Sequence, residues 1–183
     1  MNRLSSNQFE ARDVHRLLGI NRNRLFYWTH THRLLVPEIA EADGTGKRAK
    51  FSVRNLVELA FIKALVESGT DLRSAKNIKG LLDENRDEFD GGNAFDFALK
   101  TLLPDAFKMW LYRAGNKRFM ARVVGVKPNA DVDFDDSGPK VVPGEFELYI
   151  NRHVDERPDM GYVSIQIDIG DLAKEIVLKL KQV

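Results

Sequence analysis

The sequence predicts an α+β chain whose helix-rich first half is followed by a small antiparallel β-sheet domain with a C-terminal helix. Two changes in hydrophobic period carry this expectation. From Leu56 to Leu82 the apolar residues recur at three- and four-residue spacing, the signature of helices with a buried face. From Phe107 onward they alternate with polar or amphipathic residues every second position, which suits half-buried strands. Helical spacing returns in Leu172, Ala173, Ile176, Val177 and Leu180.

Val14, Leu17 and Leu18 form the buried stripe of a short helix starting near Ala11, and Gly19 supplies the left-handed turn that ends it. Asn21 caps a second helix over about Arg22 to His30, with Leu25 and Trp28 facing inward and Arg22, Asn23 and Arg24 around its first turn. Two short helices joined by a tight glycine turn make a helix-turn-helix pattern. After Leu34-Leu35-Val36-Pro37 comes a hairpin, with Glu38-Ile39-Ala40 and Ala49-Lys50-Phe51 as its arms and Asp43-Gly44-Thr45-Gly46 as its tip. Ser52 caps a long helix carrying Leu56, Val57, Ala60, Phe61, Ala64 and Leu65, which stops at Ser68-Gly69. Thr70-Asp71 opens another helix with Leu72, Ala75, Ile78, Leu81 and Leu82, fading into the charged stretch from Asp83 to Gly92.

Past that stretch a short apolar helix runs from Ala94 to Leu103 and is closed by Pro104. Phe107, Met109 and Leu111 pair with Phe119, Ala121 and Val123 across a Gly115-Asn116 turn. Phe146, Leu148 and Ile150, then Val163, Ile165, Ile167 and Ile169, supply two more strands. The apolar stripe of the last helix must pack on something, and one face of the sheet is the expected place, in the same subunit or a partner. The expected domains are residues 1–85, a linker and short helix over 86–104, and a dimerisation or sensing domain over 105–183.

The net charge of +1 conceals an asymmetry, because residues 1–56 hold ten Lys/Arg against five Asp/Glu while the rest holds 18 against 22. A basic first half joined to an acidic second half points to a polyanion as the partner of the first. No run of about 18 apolar residues is present and the N-terminus lacks a secretion-type apolar stretch, so no membrane contact and a cytoplasmic location are expected. Cysteine is absent, which excludes disulfides, thiolate metal sensors, iron-sulfur redox sensors and cysteine nucleophiles. No Ser-His-Asp arrangement, glycine-rich dinucleotide fingerprint or metal triad can be placed, so neither an enzyme nor a bound cofactor is expected.

With ARDVHRLLGIN followed by LFYW, then LLVP, a glycine-tipped GKRAKFS and the long NLVELAFIKALVESG before LRSAKNIKGLL, the chain from Phe9 to Glu84 resembles the winged-helix DNA-binding domain of MerR-type transcription regulators. The resemblance implies a dimer that lays one recognition helix per subunit in the major groove while the wing grips phosphate. It places Arg22, Asn23 and Arg24 at the start of the recognition helix, Tyr27 as a phosphate-contacting aromatic, and Arg48 near the basic wing residue. Two features depart from the family pattern. Phe26 stands where an arginine is usual, and the span from Gly19 to Pro37 is one residue longer than usual. The family's long dimerising coiled-coil helix is not evident, and no known effector domain is recognised beyond Phe107.

Physical chemistry supports the same assignment. Arginine makes bidentate hydrogen bonds to guanine and asparagine to adenine, so a helix entering the major groove carries such groups in front. Lys47, Arg48 and Lys50 beside a glycine tip suit phosphate, which strengthens binding without reading sequence. The candidate DNA-binding residues are therefore Asn21, Arg22, Asn23, Arg24, Tyr27, His30, Arg33, Lys47, Arg48 and Lys50. Surface arginines that are merely solvated are the plain alternative for the helix.

Other motifs fail on their own requirements. GTGK would be a phosphate loop only with glycine at position 41 and Ser/Thr at 48, where Glu41 and Arg48 stand. His15, His30 and His32 lack a carboxylate or thiol at metal-ligating spacing, and His30 and His32 diverge by about 200° on a helix. The acidic run with Asp131, Asp133, Asp135 and Asp136 has Asp136 where a calcium loop needs glycine and Val142 where it needs glutamate, leaving a solvated loop. Phe107, Trp110, Tyr112 and Phe119 are core candidates before they are pocket candidates.

The expected function is thus sequence-specific binding of double-stranded DNA by a homodimeric transcription regulator. RNA polymerase or a small-molecule effector would be its further partners. The alternative is a protein-interaction adaptor built on the winged-helix scaffold, an option that Phe26 keeps open.

Overall fold

The computed structural model describes residues 8–41, 48–84, 93–101, 107–114, 118–126, 132–135, 138–141, 145–150 and 163–182. Two compact units form, one from residues 1–82 with 172–183 and the other from residues 83–171.

The first unit opens with α1 (Ala11–Leu18), which buries Val14, Leu17 and Leu18. Gly19 ends it at φ 69°, a left-handed conformation that glycine adopts without a Cβ penalty, and its N–H reaches the His15 carbonyl at 2.8 Å. Helix α2 (Arg22–Phe26) follows and continues as a π-helical turn over Tyr27–Thr31. Phe9 pairs with Phe51 and Ala40 with Lys50 in isolated antiparallel bridges, so the arms of the expected hairpin meet at Ala40. Its tip and Lys47 lie outside the described residues.

Helix α3 (Val53–Glu67) buries ten of its fifteen residues, so it is wrapped by the unit rather than laid on its surface. Each fully buried Leu, Ile or Phe in it contributes roughly 1.5–3 kcal/mol. Ser52 caps it, its Oγ accepting the Asn55 N–H at 3.1 Å. Helix α4 (Leu72–Glu84) begins at an Asp71 cap, whose carboxylate accepts the Ser74 N–H at 3.0 Å and the Ser74 hydroxyl at 2.7 Å. These bonds hold the Asp71 carboxyl below its usual value of 3.8. A lowered folded-state value means that the cap's contribution is complete above about pH 4 and is lost as pH falls through the lowered value. Asp71→Ala should cost about 0.5–2 kcal/mol at pH 7, a difference that shrinks in acid denaturation series as the pH falls through the lowered value.

Glu58 is only 2% exposed, and a buried carboxylate is tolerated where charges and donors surround it. Arg54 Nε stands 3.3 Å away, Lys79 Nζ of α4 3.6 Å away, and Asn55 Nδ2 donates at 3.0 Å. Asn55 in turn accepts the Glu38 N–H at 2.7 Å, while the Glu38 carboxylate accepts from Ser52 Oγ and pairs with Arg54 at 3.5 Å. This network ties the segment after Pro37 to α3 and α4.

The first unit also takes in most of helix α6 (Ile169–Lys181), with Ala173, Ile176 and Val177 buried. Lys179 Nζ donates to the Leu17 carbonyl at 3.2 Å, and Lys63 Nζ of α3 donates to the Leu18 carbonyl at 2.9 Å. Two lysines thus satisfy carbonyls that the end of α1 leaves without helical partners. Residues 172–183 group with the first unit, while the expected domain ran over 105–183 with helix from the same subunit or a partner on the sheet. Lys179 is the residue that ties this helix to the end of α1.

The second unit holds α5 (Ala94–Thr101), capped by Asn93 Oδ1 accepting the Phe95 and Asp96 N–H groups at 3.0 Å each. It also holds a four-stranded antiparallel sheet in the order β5-β2-β1-β6, from β1 (Phe107–Ala114), β2 (Arg118–Val126), β5 (Glu145–Ile150) and β6 (Val163–Asp168). Residue 107 stands opposite 125 and residue 114 opposite 118, which closes the first hairpin; its Gly115-Asn116 turn is outside the described residues. The chain turns helical at Ile169, one residue before the strand was expected to end. Part of the acidic run is paired rather than a loop. Strands β3 (Val132–Asp135) and β4 (Gly138–Val141) form a separate two-stranded ladder, consistent with the alternation of Val132 and Phe134 with aspartates, while Asp131 and Asp136 lie outside the described residues.

Candidate nucleic-acid interface

Asn21 begins the site by setting where α2 starts. Its Oδ1 accepts the Arg24 N–H at 2.8 Å, so this residue is spent mainly on capping. Leu25 and Trp28 are buried beneath, and the exposed face carries Arg22, Asn23, Phe26, Tyr27 and His30. Phe26 is 54% and Tyr27 55% exposed. Arg24 lies over the Trp28 ring at 5.7 Å and 3.9 Å from Glu67 at the end of α3, which draws its guanidinium toward the scaffold.

The π turn alters the end of this helix. His32 N–H bonds to the Tyr27 carbonyl at 2.9 Å and Leu34 N–H to the Trp28 carbonyl at 2.8 Å, longer loops than the four-residue spacing of an α-helix. A π turn holds one residue more than an α turn, which accommodates the long span between Gly19 and Pro37. Leu34 and Leu35 then return to the core. The connection passes through Arg33, exposed at φ 46°, a left-handed backbone that costs a non-glycine residue roughly 1–2 kcal/mol.

On the other side stands the strand segment from Arg48 to Phe51. Phe51 exchanges backbone hydrogen bonds of 2.9 and 3.0 Å with Phe9, which seats the segment beside the start of α1. Arg48 pairs with Glu10 at 2.8 Å and Lys50 Nζ donates to Gln8 at 2.9 Å. An open groove of about 880 Å³ runs between α1, α2 with its π turn, and this segment. Arg12, Arg22 and Arg48 against Glu10 leave its lining with an excess of two positive charges, and His15, Asn21, Phe26 and His30 are its other exposed side chains.

Of the expected residues, the structure thus brings Asn21, Arg22, His30 and Arg48 to one groove. Asn23, Tyr27 and Arg33 are exposed but do not line it, Arg24 is turned to Glu67, and Lys50 is half-buried against Gln8. Arg12, His15 and Phe26 were not among the expected binding residues. Their signal was present in the spacing: Arg12 and His15 are three apart on the side of α1 opposite its buried stripe, and Phe26 is one turn from both Arg22 and His30. Among the described residues no group of three His, Asp or Glu side chains could hold a metal, and no helix is long and apolar enough to cross a membrane.

The pair of helices and the strand segment lie within residues 9–84, and that span matches the family model described as MerR HTH family regulatory protein. No curated protein matches the chain.

Proposed function

We propose, from the premise that residues 9–84 are a MerR-type helix-turn-helix region, that the chain is a transcription regulator binding double-stranded DNA sequence-specifically as a homodimer. It works by binding, without a catalytic step, and its further partners are RNA polymerase or a small-molecule effector. The observation carrying this reading is the groove in which Arg22 and His30 of the second helix face Arg48 across a net positive lining. Arg22 and Asn23 supply base-edge contacts, while Arg12, Arg33 and Arg48 meet phosphate.

Selection of bound fragments from randomised DNA, followed by anisotropy titration across salt concentrations, tests it. An enriched inverted repeat and a steep salt slope support the reading; a folded protein that enriches nothing removes it. The exposed Phe26 and Tyr27 favour a second reading, an adaptor that holds another protein on this face.

Three substitutions probe the phosphate contacts. Arg48→Ala should weaken binding to all duplexes about equally and lower the salt slope by about one. Because Arg48 already pairs with Glu10, Glu10→Gln should act in the opposite direction, freeing the guanidinium and steepening the slope. Arg33→Gly should relieve its left-handed backbone, raising stability by up to about 1 kcal/mol in urea titrations, while lowering the salt slope by about one. Binding unchanged in Arg33→Gly would remove that residue from the interface.

A further inference from the structure

We infer that Phe26 reads thymine, taking the 5-methyl group of one base per half-site against its ring; this rests on the DNA-binding reading above. Phe26 is a large apolar side chain left 54% exposed in a groove whose other exposed groups are all polar, three of them arginines. Arg22 lies one turn before it and His30 one turn after, and all three line that groove. A phenyl ring held between two nitrogen-bearing side chains has no hydrogen-bond donor or acceptor to offer a base edge. In the major groove only thymine presents a methyl group, whereas cytosine presents an amino group and guanine two acceptors that a phenyl ring would leave unpaired. The ring therefore favours thymine by contact and disfavours cytosine and guanine by desolvation.

The ring is also held in place before any DNA arrives. It stacks on His30 with centroids 4.7 Å apart and planes 22° from parallel. His30 Nδ1 lies 3.2 Å from Thr29 Oγ1, and that buried hydroxyl donates to the Leu25 carbonyl at 2.9 Å. Thr29 thus anchors His30, and His30 supports Phe26. Tyr27, equally exposed, leans at 5.6 Å toward His32 and does not line the groove.

The test uses the full chain and the duplex it enriches from a randomised pool, with each thymine replaced in turn by deoxyuridine, which removes the methyl and nothing else. For the wild-type protein, uracil at one symmetry-related position should weaken binding about 4-fold, the effect of burying one methyl-sized group. In Phe26→Ala the same replacement should have no effect at that position, and in Phe26→Leu a smaller effect should persist. Phe26→Arg should bind all duplexes more tightly at low salt and ignore the methyl. Circular dichroism confirms that these exposed-site variants fold. Equal uracil penalties in wild type and Phe26→Ala, or no penalty at any thymine, would overturn the assignment while leaving DNA binding standing. A Phe26→Ala variant that loses the dimer but keeps its uracil penalty would place the ring between two copies of the chain and overturn it too. Enrichment of no duplex at all would remove the DNA-binding reading itself.

Discussion

Glu58→Ala should lower the stability of the first unit by about 3–5 kcal/mol, the cost of stripping one partner from a buried charge cluster. Truncation leaves Lys79, itself nearly buried, without the carboxylate 3.6 Å from its ammonium, and takes from Asn55 the acceptor of its Nδ2 group. The damage reaches the interface through Asn55, which also fixes the Glu38 N–H and hence the chain leaving Pro37. Glu58→Gln keeps an acceptor for Asn55 but not the charge for Lys79 and should fall between the two. The paired change of Glu58→Leu with Lys79→Met should recover much of the loss, because a matched apolar pair has no ion to desolvate. Urea unfolding followed by Trp28 fluorescence in a Trp110→Phe background reports on this unit, since Trp28 belongs to it and is buried. A shift below about 1 kcal/mol for Glu58→Ala would show that the cluster is solvated in solution.

Sequence spacing was enough for the helices because their signals are local. Gly19 after Leu18, Asn21 before Arg22 and Ser52 before Val53 are each a cap or a turn whose chemistry lies within three residues. The π turn was not legible, since a helix that stays apolar at Leu25 and Trp28 has the same spacing whether its last turn holds four residues or five. The His32 N–H bond to the Tyr27 carbonyl shows it, and the extra residue before Leu34 is accommodated there. Pairings distant in sequence were hidden for a different reason: Arg48 with Glu10, Lys79 with Glu58 and Lys179 with Leu17 join residues 38, 21 and 162 apart, and no periodicity connects them. The same limit explains the candidate site. Residue type pointed to Arg22 and Arg48, but only the bridge between Phe9 and Phe51 brings the arginine strand to α1, where Glu10 takes hold of Arg48 and Arg12 joins the lining.

Deleting Leu172–Val183 should unfold or strongly loosen the helix-turn-helix unit rather than bare the sheet. Ile176 and Val177 are buried in that unit together with Ala173, and each large side chain accounts for roughly 1.5–3 kcal/mol of burial. Lys179 adds a hydrogen bond to the Leu17 carbonyl, and its removal leaves the last turn of α1 with one donor fewer just before the Gly19 turn that aims α2. A full truncation removes both terms at once, so the graded version is more informative. Ile176→Ala alone should cost about 2–5 kcal/mol by the same Trp28 signal, with DNA affinity falling only where the unit is partly unfolded. Lys179→Met should cost less than about 1.5 kcal/mol, yet it touches the turn itself and should alter DNA affinity under conditions where the unit remains fully folded. The two variants thereby separate support of the fold from positioning of the second helix. If Ile176→Ala leaves the Trp28 transition in place, the stripe on α6 packs elsewhere, and covering the sheet or a second subunit becomes its role again.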